Sequence, residues 1–173
     1  MSKRALKTYL TELDQDSLQE QIIDLYERFP QVKTYYDFVF NPKEDKLVEE
    51  AKIKIGKEYF PQNSRKPKKR RSVAQRYIKH FKTLGMDAVL LADVMVFHIE
   101  VAQAFTADTR IKQEAFYKSM AKAFQEAIGY IHYEGIQSHF NARLTTIIEQ
   151  SLHQEWPNAY NFQEIGEDYV VNQ

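Results

Sequence analysis

Residues 65–72 read RKPKKRRS, six cations in eight positions, and no acid stands between Glu58 and Asp87. Nothing near in sequence therefore neutralises Arg65, Lys66, Lys68, Lys69, Arg70 and Arg71. Cations at this density raise the local potential and attract phosphates or carboxylates. The next segment continues the theme. With Val73, Tyr77, Phe81 and Leu84 as the apolar stripe of a helix, Arg76, Lys79 and Lys82 fall on its outer face. These nine residues are the candidate anion- or partner-binding set. The same pattern also serves solvated loops, docking sites for acidic proteins, and nuclear import signals.

Other chemistries find little to work with. A di-iron bundle needs glutamates and Glu-x-x-His pairs on one helix face, and the nearest approach is Glu149 with His153, an i, i+4 pair read as surface. His98-Ile99-Glu100 matches a fragment of the zinc deaminase signature but lacks the cysteines that complete it. The chain has no cysteine, so neither a thiolate metal site nor a disulfide exists. His98 shares a register with Val94, Val101 and Phe105 and reads as a core histidine, while His80, His132, His139 and His153 are scattered. There is no G-x-S-x-G elbow and no glycine-rich loop with lysine. Glu49 and Glu50 lie beside Lys46 and Lys54 as a solvated face. Tyr35, Tyr36, Phe38 and Phe40 could stack bases, but aromatic residues between two helices more often plug a core. The expectation is no catalytic residue, no metal and no cofactor, and a function other than catalysis.

The elements that carry these residues read as all-α. Only five glycines and five prolines punctuate 173 residues. Ser2 is placed to cap a first helix ending near Leu13, and Asp16 a second through Phe29; Pro30 starts a third, aromatic segment. Asn41-Pro42 is a cap-then-proline start for a helix to about Tyr59. Residues 61–71 form an irregular basic loop, after which Ser72 caps a helix that Gly85 ends. Three longer helices run from about Asp87 to Thr106, Ile111 to Tyr133 and Ile136 to Trp156, closed by Pro157. Residues 157–173 carry no lysine or arginine and read as an acidic tail, strapped down through Phe162, Ile165 and Tyr169 or mobile. The predicted architecture is an antiparallel helical-hairpin bundle or a short helical-repeat stack of about seven to eight helices, forming one domain over 1–156.

The opening SKRALKTYLTELDQDSLQEQIIDLYERFPQVKTYYDFVFNPKEDKLVEEAK, the middle KKRRSVAQRYIKHF and the later KQEAFYKSM resemble a small bacterial family of uncharacterised, wholly helical proteins known as a domain of unknown function. The resemblance covers almost the whole chain. It implies a helical fold and a bacterial source, and brings no activity or site residue with it.

Zero net charge conceals a dipolar chain: residues 43–82 carry fourteen Lys and Arg against five acids, and residues 83–173 five against twelve. The apolar run 88–105 is interrupted by Asp93, His98 and Glu100 and is expected to be too polar to span a bilayer. No amino-terminal stretch has the apolar centre of a signal peptide, and the expected setting is cytoplasmic, away from membranes. Two functions from different classes fit. One is a protein-interaction or structural adaptor whose basic surface docks an acidic protein surface, self-association with a second copy included. The other is salt-sensitive, weakly selective binding of nucleic-acid phosphates or another polyanion through residues 65–82.

Overall fold

Local capping and apolar periodicity produce nine α-helices and no strand among the described residues, which in this computed structural model are 2–62 and 65–170. Asn63 and Ser64 of the expected loop, and residues 171–173 of the expected tail, lie outside them. The chain divides into two compact units, Met1–Lys43 and Glu44–Gln173.

The first unit holds α1 (Lys3–Thr11), α2 (Gln15–Arg28) and α3 (Pro30–Phe40). Ser2 caps α1 as expected, its hydroxyl accepting the Ala5 N–H at 3.2 Å. The cap of α2 is Asp14, not Asp16. Its carboxylate takes the Ser17 N–H at 2.8 Å and is held below the usual carboxylate range by its hydrogen bonds to Ser17, while Asp16 falls in the first turn, where the helix dipole favours an acid. Pro30 occupies the first turn of α3. Tyr26 donates to Asp37 at 3.0 Å across the α2–α3 hairpin, and Gln21 donates to Tyr9 at 2.6 Å to tether α1. No residue of these three helices is buried, and Ile23, Phe29 and Val39 are about half exposed.

The second unit holds α4 (Glu44–Tyr59), α5 (Arg71–Leu84), α6 (Ala88–Asp108), α7 (Glu114–Tyr133), a 3-10 turn (Gln137–His139), α8 (Asn141–His153) and α9 (Ala159–Val170). Asn41-Pro42 does not start α4: Asn41 closes α3, and α4 begins three residues later with Glu44 and Asp45 in its first turn. The Glu44 carboxylate instead accepts the Asp87 N–H at 2.9 Å, beside the cap that Asp87 makes to Val89 and Leu90 of α6. Gly85 ends α5 as expected. Its φ of 72° is left-handed, and the Met86 N–H reaches back to the Phe81 carbonyl at 3.2 Å while both side chains are buried.

α6 is the core helix, packed against α4, α5, α7 and α8. It is apolar on nearly every side, with Leu91, Val94, Met95, Val96, Ile99 and Ala102 fully or almost fully buried. Contrary to the sequence expectation, α6 is long and apolar enough to cross a membrane by length and composition. Most of it is instead buried inside the unit, and Asp93 and Glu100 are paired with cations from α4 and α8. A core position therefore accounts for its apolar composition.

The stretch expected to be a tail contains a further helix, the one the sequence count of seven to eight omits. α9 buries Phe162 completely, with its ring 5.2 Å from Phe124 and 5.5 Å from Trp156. Gly166 hides this helix from a propensity reading. An added Cβ there would sit 2.7 Å from Ile148 Cδ1, so glycine is what lets α9 lie close on α8.

Candidate functional site

Residues 68–70 of the basic loop fold back on the carboxyl end of α4, where all three bond to Glu58. The last carbonyls of a helix have no intrahelical donors. Here the Lys68 and Lys69 N–H groups both donate to the Glu58 carbonyl, at 3.0 and 2.9 Å. Lys69 adopts a left-handed φ of 53°, which turns the chain into α5. Arg70 then donates to the Glu58 carboxylate as a fork, Nε to Oε2 at 2.9 Å and Nη2 to Oε1 at 2.7 Å. The Glu58 side chain is only 11% exposed, and the Arg70 hydrogen bond holds its carboxyl below the usual range. This fork replaces the Ser72 cap expected from sequence: α5 starts at Arg71, and Arg70 occupies the cap position without a side-chain cap bond.

The nine candidates separate into two groups. Four are engaged within the chain: Arg70 by Glu58, Arg71 by Glu126 of α7 at 3.2 Å, Lys69 over the Phe105 ring at 5.6 Å, and Lys82 over the Tyr130 ring at 5.1 Å. The other five, Arg65, Lys66, Lys68, Arg76 and Lys79, are exposed and make no ion pair among the described residues. Arg65, Lys66 and Lys68 line a depression of about 320 Å³ together with Lys57, Glu58 and Arg70. Arg76 and Lys79 lie on the solvent side of α5, opposite buried Val73, Ala74 and Phe81. Sequence reasoning missed Lys57 and Glu58, although Glu58 is the last acid before the run and so the natural counterion for it.

Two other polar clusters carry structure. Arg143 of α8 donates as a fork to Glu100 at 2.7 Å and through Nη1 to Asp93 at 2.7 Å, while Lys52 of α4 pairs with the other oxygen of Asp93. Burial would raise the Asp93 pKa, but the Lys52 and Arg143 hydrogen bonds outweigh it and hold the carboxyl below its usual value. Two cations and two anions satisfy one another and join α4 and α8 across α6. His98 is buried as its register predicts, its ring 6.5 Å from that of Tyr59. Burial, then the Arg71 charge, pushes its pKa down to about 4, so it is neutral at pH 7. Glu149 and His153 are exposed on α8, and no group of three potential metal ligands occurs among the described residues.

The chain matches the family of unknown function DUF6155 over residues 1–170 and belongs to it. No curated protein and no solved structure matches it.

Proposed function

We propose that this member of an all-helical family is a non-catalytic interaction adaptor that docks an acidic protein surface on residues 65–82, with antiparallel helical hairpins as the scaffold. One observation carries the reading: Glu58 ties residues 68–70 to the end of α4, and beside that tie Arg65, Lys66 and Lys68, which make no ion pair among the described residues, stand around a depression. A loop ordered before contact loses less entropy on binding, and unpaired cations steer an acidic partner toward it. Arg76 and Lys79 on α5 extend the surface.

An acidic protein surface fits better than a nucleic acid because four of the nine cations are already engaged. Tight phosphate-backbone binding draws on about 6–10 contacts. Of the remaining five, Arg65, Lys66 and Lys68 line one depression, which suits a few carboxylates more than a long phosphate track.

The test compares a glutamate-rich helical peptide with a generic DNA duplex at about 50 mM salt, where counterion release most favours binding. The parent is expected to retain the peptide more tightly than the duplex. Arg65→Glu, Lys66→Glu and Lys68→Glu combined should abolish peptide binding with an unchanged melting temperature, since all three side chains are exposed. Preference of the parent for the duplex would contradict the adaptor reading in favour of phosphate binding.

A further inference from the structure

A second site lies within the Glu44–Gln173 unit, lined by none of the nine basic candidates. α7, α8 and α9 enclose a groove of about 490 Å³, inside the ~300–1,000 Å³ range of small-molecule sites. Its floor is aliphatic: Ile128, Ile131, Leu144 and Ile148. Tyr169 and Gly166 of α9 form one wall. α9 is held close on both sides by glycine. A Cβ at Gly129 would stand 3.0 Å from the Tyr169 hydroxyl oxygen, and one at Gly166 would stand 2.7 Å from Ile148 Cδ1.

The rim supplies polar groups of one character. Asn141, Thr145 and Gln163 offer neutral donors and acceptors, and Glu167 is the single formal charge lining the groove. No lysine or arginine lines it among the described residues. Gln137 Nε2 and His132 Nδ1 are 3.1 Å apart. With the amide donating, the imidazole keeps its hydrogen on Nε2 as a donor. α9 itself carries no lysine or arginine. With Glu167 the single formal charge lining the groove, an ammonium group is favoured there over a carboxylate or phosphate.

We propose that this groove binds a small organic molecule with an aromatic or aliphatic body and a neutral or cationic polar end. The aliphatic floor takes the body. Glu167 and the rim amides take the polar end. This ligand is opposite in charge preference to the partner of the basic loop, so the two sites act on different molecules.

Three probes that share an indole body isolate the charge preference: tryptamine (cationic), tryptophol (neutral) and indole-3-acetate (anionic). Binding to the full chain is followed by ligand-observed NMR and by thermal shift. Tryptamine and tryptophol should bind at concentrations up to about 1 mM, with indole-3-acetate several-fold weaker. Thr145→Trp and, independently, Gln163→Trp place a large side chain in the groove from exposed positions on two different helices. Each should remove binding while leaving the helical spectrum and melting temperature unchanged. Glu167→Lys should reverse the order of tryptamine and indole-3-acetate. The proposal is overturned if no probe binds, if indole-3-acetate binds as well as tryptamine, or if both plugged variants fold and still bind.

Discussion

At the scale of single residues, burial decides what each polar side chain does. His98 has a folded pKa of about 4 against an ordinary value of 6.5, because burial and the Arg71 charge both oppose its protonation. The unfolded chain therefore binds the extra proton first as pH falls. Stability that His98 leaves intact above pH 6.5 is lost progressively down to about pH 4 and levels off below, a swing on the order of 3 kcal/mol. Asp93 acts lower, since its depressed pKa confines its contribution to stability to the range above its folded value. Urea unfolding at a series of pH values should show the upper step in the parent and a much flatter curve between pH 6.5 and 4 in His98→Leu; an identical slope in the variant would contradict the assignment. The register of His98 with Val94, Val101 and Phe105 made its burial legible from sequence, because helical spacing alone places it on an apolar face. The Lys52–Asp93–Arg143–Glu100 set was not legible, since its members come from three helices separated by more than forty residues.

At the scale of elements, helix ends marked by a conformational demand were readable, and ends chosen between competing caps were not. Gly85 needs a left-handed φ, and sequence placed it correctly. Asp14 and Asp16 both satisfy a capping pattern, and only the structure shows Asp14 reaching Ser17. Ser72 lost its predicted cap to an ion pair with Glu58, twelve residues upstream of Arg70, which no local pattern encodes. Gly166 made α9 look broken when it marks a close helix contact. From that contact follows a result opposite to helix propensity. Gly→Ala in a helix normally gains up to about 1 kcal/mol, but Gly166→Ala should lose about 1–2 kcal/mol because its Cβ meets Ile148 Cδ1. Ile148→Val removes that methyl group, so the double variant should recover part of the loss. A stabilised single variant in thermal melts would show that α9 does not lie on α8 as described.

At the scale of the whole molecule, the all-α class and the charge dipole were evident from periodicity and counting. The division after Lys43 was not, because the apolar stripes of α1–α3 resemble those of the other helices and only their burial differs. With no buried residue, α1–α3 should open locally at low free-energy cost. Their amides are expected to exchange with solvent orders of magnitude faster than those of α6 in native-state hydrogen exchange; equal protection would mean a core that the helices do not show. The structure also alters how the basic segment must be tested. Reversing Lys68, Lys69, Arg70 and Arg71 together would break the Glu58 and Glu126 pairs and confound binding with stability. The central claim is that Glu58 organises the loop for docking, and Glu58→Gln tests it most directly by removing the carboxylate's negative charge, which makes the net charge more positive by one unit. The measurement is the affinity of the variant for the glutamate-rich peptide at fixed salt. If charge alone governed docking, the variant would bind more tightly; the account predicts several-fold weaker binding, because the Arg70 fork to Glu58 is lost and the loop is less ordered before contact. Equal or tighter binding by Glu58→Gln would contradict it.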